Sequence, residues 1–129
     1  MPFYTHTVQV ERSDLDDLNH VNNVRYVQWI QDIAKAHWES EATDKMRSDY
    51  FWVVIRHTID YKSSAVLYDY INIRTFVQES SGVTSTRIVE MFHAETDSLI
   101  VRSETVWCLI DAKSKRPTRI TDEIVELFK

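Results

Sequence analysis

Glycine is nearly missing from this chain: Gly82 is the only one among 129 residues. Phosphate-cradling loops and dinucleotide-binding turns need several glycines at fixed spacing, because the backbone must approach the phosphates closely. Nucleotide chemistry of those kinds is excluded. Cysteine is equally scarce. Cys108 stands alone, allows no internal disulfide, and points to a reducing, cytoplasmic setting. A basic excess is missing too, and the net charge of −5 denies the chain the cationic footprint of a nucleic-acid binder. No apolar run approaches the roughly 20 residues needed to span a membrane. The opening Met1-Pro2-Phe3-Tyr4-Thr5-His6 lacks the basic and apolar regions of a secretory signal. His6, His37, His57 and His93 share no ligand-like spacing, so no metal site is expected. No Gly-x-Ser-x-Gly elbow marks a nucleophilic serine.

What is present reads as one domain over residues 1–129. Tyr4 to Glu11 is strand-like, and an acidic loop follows. From Asn22 to about Glu41 the apolar residues Tyr26, Ile30, Ile33 and Ala34, with His37, recur at helical spacing. Val27, Trp29, Ala36 and Trp38 widen that stripe, which predicts a helix buried on several sides. Four strands come next: Phe51 to Tyr61, Asp69 to Gln78, Thr84 to Ala94 and Leu99 to Asp111. In the first of them Phe51, Val53, Ile55, His57, Ile59 and Tyr61 are expected on one face. Ser80-Ser81-Gly82 and Glu95-Thr96-Asp97-Ser98 mark the hairpin turns. Lys113 to Arg119 is a basic loop, and Thr121 caps a short last helix ending near Phe128. The pattern is α+β, a long helix held in a curved antiparallel sheet of about five strands. Such an open sheet leaves edges that a symmetric dimer would cover.

Chemistry concentrates between Asp14 and Tyr26. Asp16 and His20 stand four residues apart in a polar loop that runs straight into the helix. Turn and cap roles account for Asp14, Asp16, Asp17, Asn22 and Asn23 in plain structural terms. The same residues also suit catalysis. Aspartate is ionised at neutral pH and serves as base or nucleophile, while a helix N-terminus offers N–H groups to a developing oxyanion. His20 could orient a substrate or protonate a leaving group. Cys108, in an apolar strand, reads as a buried small hydrophobe. Trp29, Trp38, Trp52 and Trp107 read as core or interface residues, with the lining of an acyl tunnel as an alternative.

Asp14-x-Asp16-x-x-Asn19-His20-Val21-Asn22-Asn23-x-x-Tyr26 resembles the signature of hot-dog-fold thioesterases of the 4-hydroxybenzoyl-CoA thioesterase-like superfamily. The same stretch with Trp29-Ile30 is similar to plant acyl-ACP thioesterases. Phe51-x-Val53-Val54, Ile59-Asp60-Tyr61-Lys62 and Ala65-Val66-Leu67-x-Asp69 are similar to bacterial long-chain acyl-CoA thioesterases, and Val106 to Asp111 matches their usual final strand. The resemblance implies a hot-dog fold, a dimer or tetramer of dimers with active sites at the dimer interface, and hydrolysis of an acyl-CoA or acyl carrier protein thioester without metal or redox cofactor. Carried over by position, it implies Asp16, His20 and Asn23 as catalytic residues, and Asn22, Tyr26 and Ser64 as substrate-binding ones. Relatives of this type carry glycine where Asn19 and Tyr68 stand, and proline where Ser64 stands. The alternative on the same fold is a non-catalytic acyl-CoA-binding module, which needs no base at position 16.

Overall fold

A computed structural model describes residues 3–129. Strand β1 (Tyr4–Gln9) leads through a single 3-10 turn (Arg12–Asp14) and the acidic loop into helix α1 (Asn23–Glu41). A short helix α2 (Asp44–Asp49) precedes β2 (Tyr50–Tyr61), β3 (Tyr70–Ser81), β4 (Thr84–His93), β5 (Leu99–Asp111) and a last short helix α3 (Asp122–Leu127). The five strands form one sheet in the order β1-β3-β4-β5-β2. Every neighbouring pair is antiparallel. The expected α+β hot-dog architecture is therefore present, with α1 packed across one face of a five-stranded sheet.

Local chemistry explains the joints. Asn22 caps α1, its side-chain oxygen accepting the Val24 N–H, and Thr121 caps α3 in the same way through the Ile124 N–H. Gly82, with φ at +62°, turns β3 into β4. The Thr43 side chain caps α2, a helix with no buried residue and hence no apolar period by which sequence alone would reveal it.

Two clusters make the core. Tyr26, Trp29, Ile30 and Ile33 of α1 meet Ile71, Ile73, Val89, Met91 and Val101 of the sheet. Leu109, Ile120, Ile124 and Phe128 close the far end, with Trp38 and Trp52 packed against them. Ile30 is 1 % exposed, so trimming it to alanine costs about 2–5 kcal/mol in lost transfer energy and cavity formation.

Two expectations are corrected. Helix α1 is buried on one face, by Tyr26, Trp29, Ile30, Ile33, Ala34 and His37; Gln28, Gln31, Asp32, Lys35 and Glu39 face solvent, because a single sheet covers only one side. Strand β2 does not keep one apolar face. Its register with β5 shifts between Val54 and Arg56, so Tyr50 and Trp52 turn inward before the irregularity, and His57 and Ile59 after it. Phe51, Val53, Val54 and Ile55 are left exposed along this edge strand. Among the described residues, no helix is long and apolar enough to cross a membrane.

Candidate active site

The loop before α1 is a small knot of backbone hydrogen bonds. Asp16 N–H donates to the His20 carbonyl at 2.7 Å, and Asn19 N–H to the Asp16 carbonyl at 3.1 Å. Asn19 makes the reversal in the left-handed region, φ +62°, which a short amide side chain tolerates better than most. The loop is tied outward as well. Val21 N–H donates to the Ala65 carbonyl at 3.0 Å, Asn22 N–H donates to the Asp14 carbonyl at 2.8 Å, and His20 bridges to Val66.

The structure separates the loop's acids. Asp14 is buried and committed at both oxygens: Oδ1 accepts Arg25 Nε and Oδ2 accepts the Glu11 N–H, each at 2.8 Å. That side chain holds the loop to the first turn of α1. Asp16 is half-buried, and its Oδ1 accepts the N–H groups of Leu18 (2.9 Å) and His20 (3.2 Å). Among the described residues nothing donates to its Oδ2. Asp16 is thus oriented at one oxygen and open at the other, the arrangement a base or nucleophile needs.

At the helix start the Asn22 cap takes the Val24 N–H at 3.0 Å, and the Asn22 carbonyl takes the Arg25 N–H at 2.9 Å. The Asn23 N–H is left without an acceptor among the described residues, so a helix-end donor stays open. Tyr26 is 2 % exposed and stands 5.9 Å from Tyr61 and 5.8 Å from Trp29, ring to ring. Burial pushes its phenol up to about 12, and its hydroxyl lies beside the Ala65 backbone without completing a hydrogen bond. Ser64 is exposed, one residue before the carbonyl that holds Val21. The backbone joins Asp16 to His20, but no hydrogen bond connects the imidazole to the carboxylate among the described residues.

Sequence reasoning missed two polar clusters. Asp69 accepts the Val66 N–H at 2.9 Å and pairs with His93 Nε2 at 3.1 Å, bracing the segment that holds the acidic loop. Arg87 and His37 are buried against each other, Nη1 to Nδ1, at 2.9 Å. The alternation of Ser85, Arg87, Val89 and Met91 on β4 carried the signal, since it forces the arginine inward. Among the described residues, a cavity of about 440 Å³ lies by Arg87 and another of about 350 Å³ lies by Tyr4, Trp29 and Ile73. Neither is lined by Asp16, His20 or Asn23.

Residues 2–128 match the family described as the acyl-ACP thioesterase N-terminal domain. No curated protein matches the chain. Among solved structures, the probable thioesterase YbaW from Escherichia coli superposes with a TM-score of 0.87 at 22% identity, covering 95% of this chain and 94% of that one. Slr0204, a 1,4-dihydroxy-2-naphthoyl-CoA thioesterase from Synechocystis, gives 0.84 at 18% identity, over 98% of this chain and 95% of the other. The 12:0-ACP thioesterase from Umbellularia californica gives 0.85 at 16% identity, over 98% of this chain and 51% of that longer one. These likenesses establish the fold. With the family model spanning nearly every residue, the chain belongs to the acyl-ACP thioesterase family and is a hot-dog-fold thioester hydrolase.

Proposed function

We propose that this thioesterase hydrolyses acyl-CoA, with a long-chain or aromatic acyl group, to the free acid and CoA, and that Asp16 is its catalytic carboxylate. One observation carries the reading: Asp16 is oriented through Oδ1 by two backbone N–H groups while Oδ2 stays open, in the loop that enters α1. Oδ2 attacks the thioester carbonyl or takes a proton from the attacking water. Negative charge then grows on the carbonyl oxygen, and the Asn23 N–H at the positive end of α1 receives it. His20 assists departure of the thiolate, which leaves as the thiol once protonated. Asn22 fixes the first helical turn, Tyr26 walls the site, and Ser64 sits where the substrate enters. Water is the only co-reactant.

An acyl carrier protein is the alternative donor. Two solved relatives of this fold support that range: SAV2348 from Staphylococcus aureus, solved in complex with CoA, and the 12:0-ACP thioesterase. Exposed Leu18, Val24 and Val66 surround the acidic loop, and the long edge strand β2 offers unpaired backbone and apolar side chains. Both features support a homodimer, alone or paired into a tetramer, that encloses the thioester between subunits. The free, buried Cys108 supports a cytoplasmic setting.

Thiol release measured across acyl-CoAs of graded length, and across the matching carrier-protein thioesters, tests this reading with Asp16→Asn as control. The expected result is release by the parent and a loss of about 10²–10⁴-fold in the variant. Ligand-dependent thermal stabilisation without thiol release would instead mark a binding module. Single turnover in ¹⁸O-water separates the two roles of Asp16, because label enters its carboxylate only if an acyl-enzyme forms.

A further inference from the structure

At the far end of α1 from the acidic loop, the sheet buries a cation with no anion beside it among the described residues. Arg87 is 6 % exposed. Its Nη1 donates to His37 Nδ1 at 2.9 Å and to Thr75 Oγ1 at 3.1 Å, and the Thr75 hydroxyl donates onward to the Ile88 carbonyl at 2.8 Å. Both direct partners are neutral. Burial, reinforced by Arg87 itself, pulls the His37 imidazole down to about 4, so it accepts this hydrogen bond as a free base. The Phe128 ring lies 5.6 Å from the guanidinium carbon, a cation–π contact that compensates only part of the lost hydration. Among the described residues no carboxylate pairs with Arg87, and nothing accepts from its Nε or Nη2. That edge is the fork that fits a carboxylate side-on through two parallel hydrogen bonds.

Arg87 is among the residues that line the 440 Å³ cavity, a volume within the range of small-molecule sites. Trp38, Trp52, Trp107 and Phe128 also line it, so broad aromatic faces surround one buried charge. Lys35 and Glu39 sit at its exposed margin. Burial of a lone guanidinium in an apolar hollow is costly, and an incoming anion would relieve that cost.

We propose that this cavity is a second ligand site, for a small molecule that joins a carboxylate to a flat aromatic body. The carboxylate takes the Nε and Nη2 edge of Arg87, and the rings lie against the tryptophans. The site is separate from the Asp16 loop. Trp38 is fifteen positions beyond Asn23 on one helix, about 22 Å along its axis.

The four tryptophans provide the test, because Trp38, Trp52 and Trp107 line this cavity and Trp29 lines the other. 2-Naphthoate, titrated into ¹⁵N-labelled full-length protein, is expected to shift the indole N–H signals of the first three and leave that of Trp29 in place. Neutral 2-naphthamide, of the same shape, is expected to bind about tenfold or more weakly, because it lacks the charge-assisted pair. Arg87→Met should remove the preference for the acid. If that variant does not fold, the acid–amide pair on unmodified protein decides. Asp16→Asn should bind naphthoate as the parent does, which keeps this result independent of the hydrolytic reading. Equal affinity for acid and amide, shifts led by Trp29, or no shifts at millimolar naphthoate would overturn the proposal.

Discussion

Asp14 and Arg25 form an ion pair, Oδ1 to Nε at 2.8 Å, that fastens the acidic loop to the first turn of α1. Because the Asp14 carboxylate is buried and fully committed, it is structural, whereas Asp16 two residues on keeps a free oxygen. The two acids should therefore respond oppositely to the same substitution. Asp14→Asn leaves Arg25 without its partner and should lower unfolding free energy by about 1–3 kcal/mol, seen as a reduced urea midpoint. Asp16→Asn retains an oxygen to accept from Leu18 and His20, so its midpoint should stay near that of the parent while thiol release collapses. Equal loss of stability in both variants would refute the division of roles.

Two backbone positions near the loop adopt φ values that glycine prefers. Asn19 has φ +62° and Tyr68 +70°, and these are the positions where thioesterases of similar signature carry glycine. The backbone shape is retained although the residue is not. For Tyr68 the strain is real, since a non-glycine residue in that region costs about 1–2 kcal/mol. Its exposed ring offers little packing in return, and its N–H already serves the Val10 carbonyl at 3.0 Å. Tyr68→Gly should raise stability by about 1 kcal/mol, after the greater freedom of glycine in the unfolded chain is deducted. A variant with a lower urea midpoint would show that the tyrosine ring makes a contact worth more than the strain.

Acid should destabilise the fold through His37. Its folded value of about 4 lies below the ordinary 6.5, so between those limits the unfolded chain binds a proton that the native state refuses. Stability therefore rises with pH across this window and falls as pH drops through it. Around the ring stand Arg87, Tyr4 and Phe128, none of them an anion that could favour the protonated form. The contribution is about 3 kcal/mol when fully expressed. Urea unfolding at pH 7 and pH 4.5 should show most of that difference, and His37→Gln should flatten it. Gln keeps an acceptor for Arg87 but has no proton to gain. An unchanged slope in the variant would assign the acid sensitivity to other groups.

The legible parts of this chain were those written in local chemistry. Asn22 and Thr121 announce the helix starts, and Gly82 the β3–β4 turn. Helix α2 escaped because six polar-rich residues with no buried side chain carry no period. Strict alternation does not give the face of β2, because one irregularity near Val54 reverses every side chain beyond it. At the site, the acids were visible as a cluster. Their division into Asp14, bound to Arg25, and Asp16, open at Oδ2, depends on pairings that only the folded loop defines. Arg87 is not legible as a buried group, because arginine is rarely buried without a partner and a sequence does not display the missing carboxylate.

The edge strand supplies the last prediction. β2 is twelve residues long and lies at the sheet margin, where Val53 and Val54 are about two-fifths exposed and Ile55 is 58% exposed. The opposite edge, β1, is half that length, six residues. Long, apolar edges invite pairing with a second strand, and the cheapest closed solution is a two-fold copy of the same strand. Ile55→Lys places a charge on that edge at a side chain that is mostly exposed in the single chain. Sedimentation velocity should then show a dimer for the parent and a monomer for the variant, with far-UV circular dichroism unchanged. On the proposed enclosure of the thioester between subunits, thiol release should fall together with the dimer; Asp16, His20 and Asn23 line neither the 440 Å³ nor the 350 Å³ cavity. A variant that stays dimeric would move the interface to another face, and one that becomes monomeric with full activity would place the whole site within one subunit.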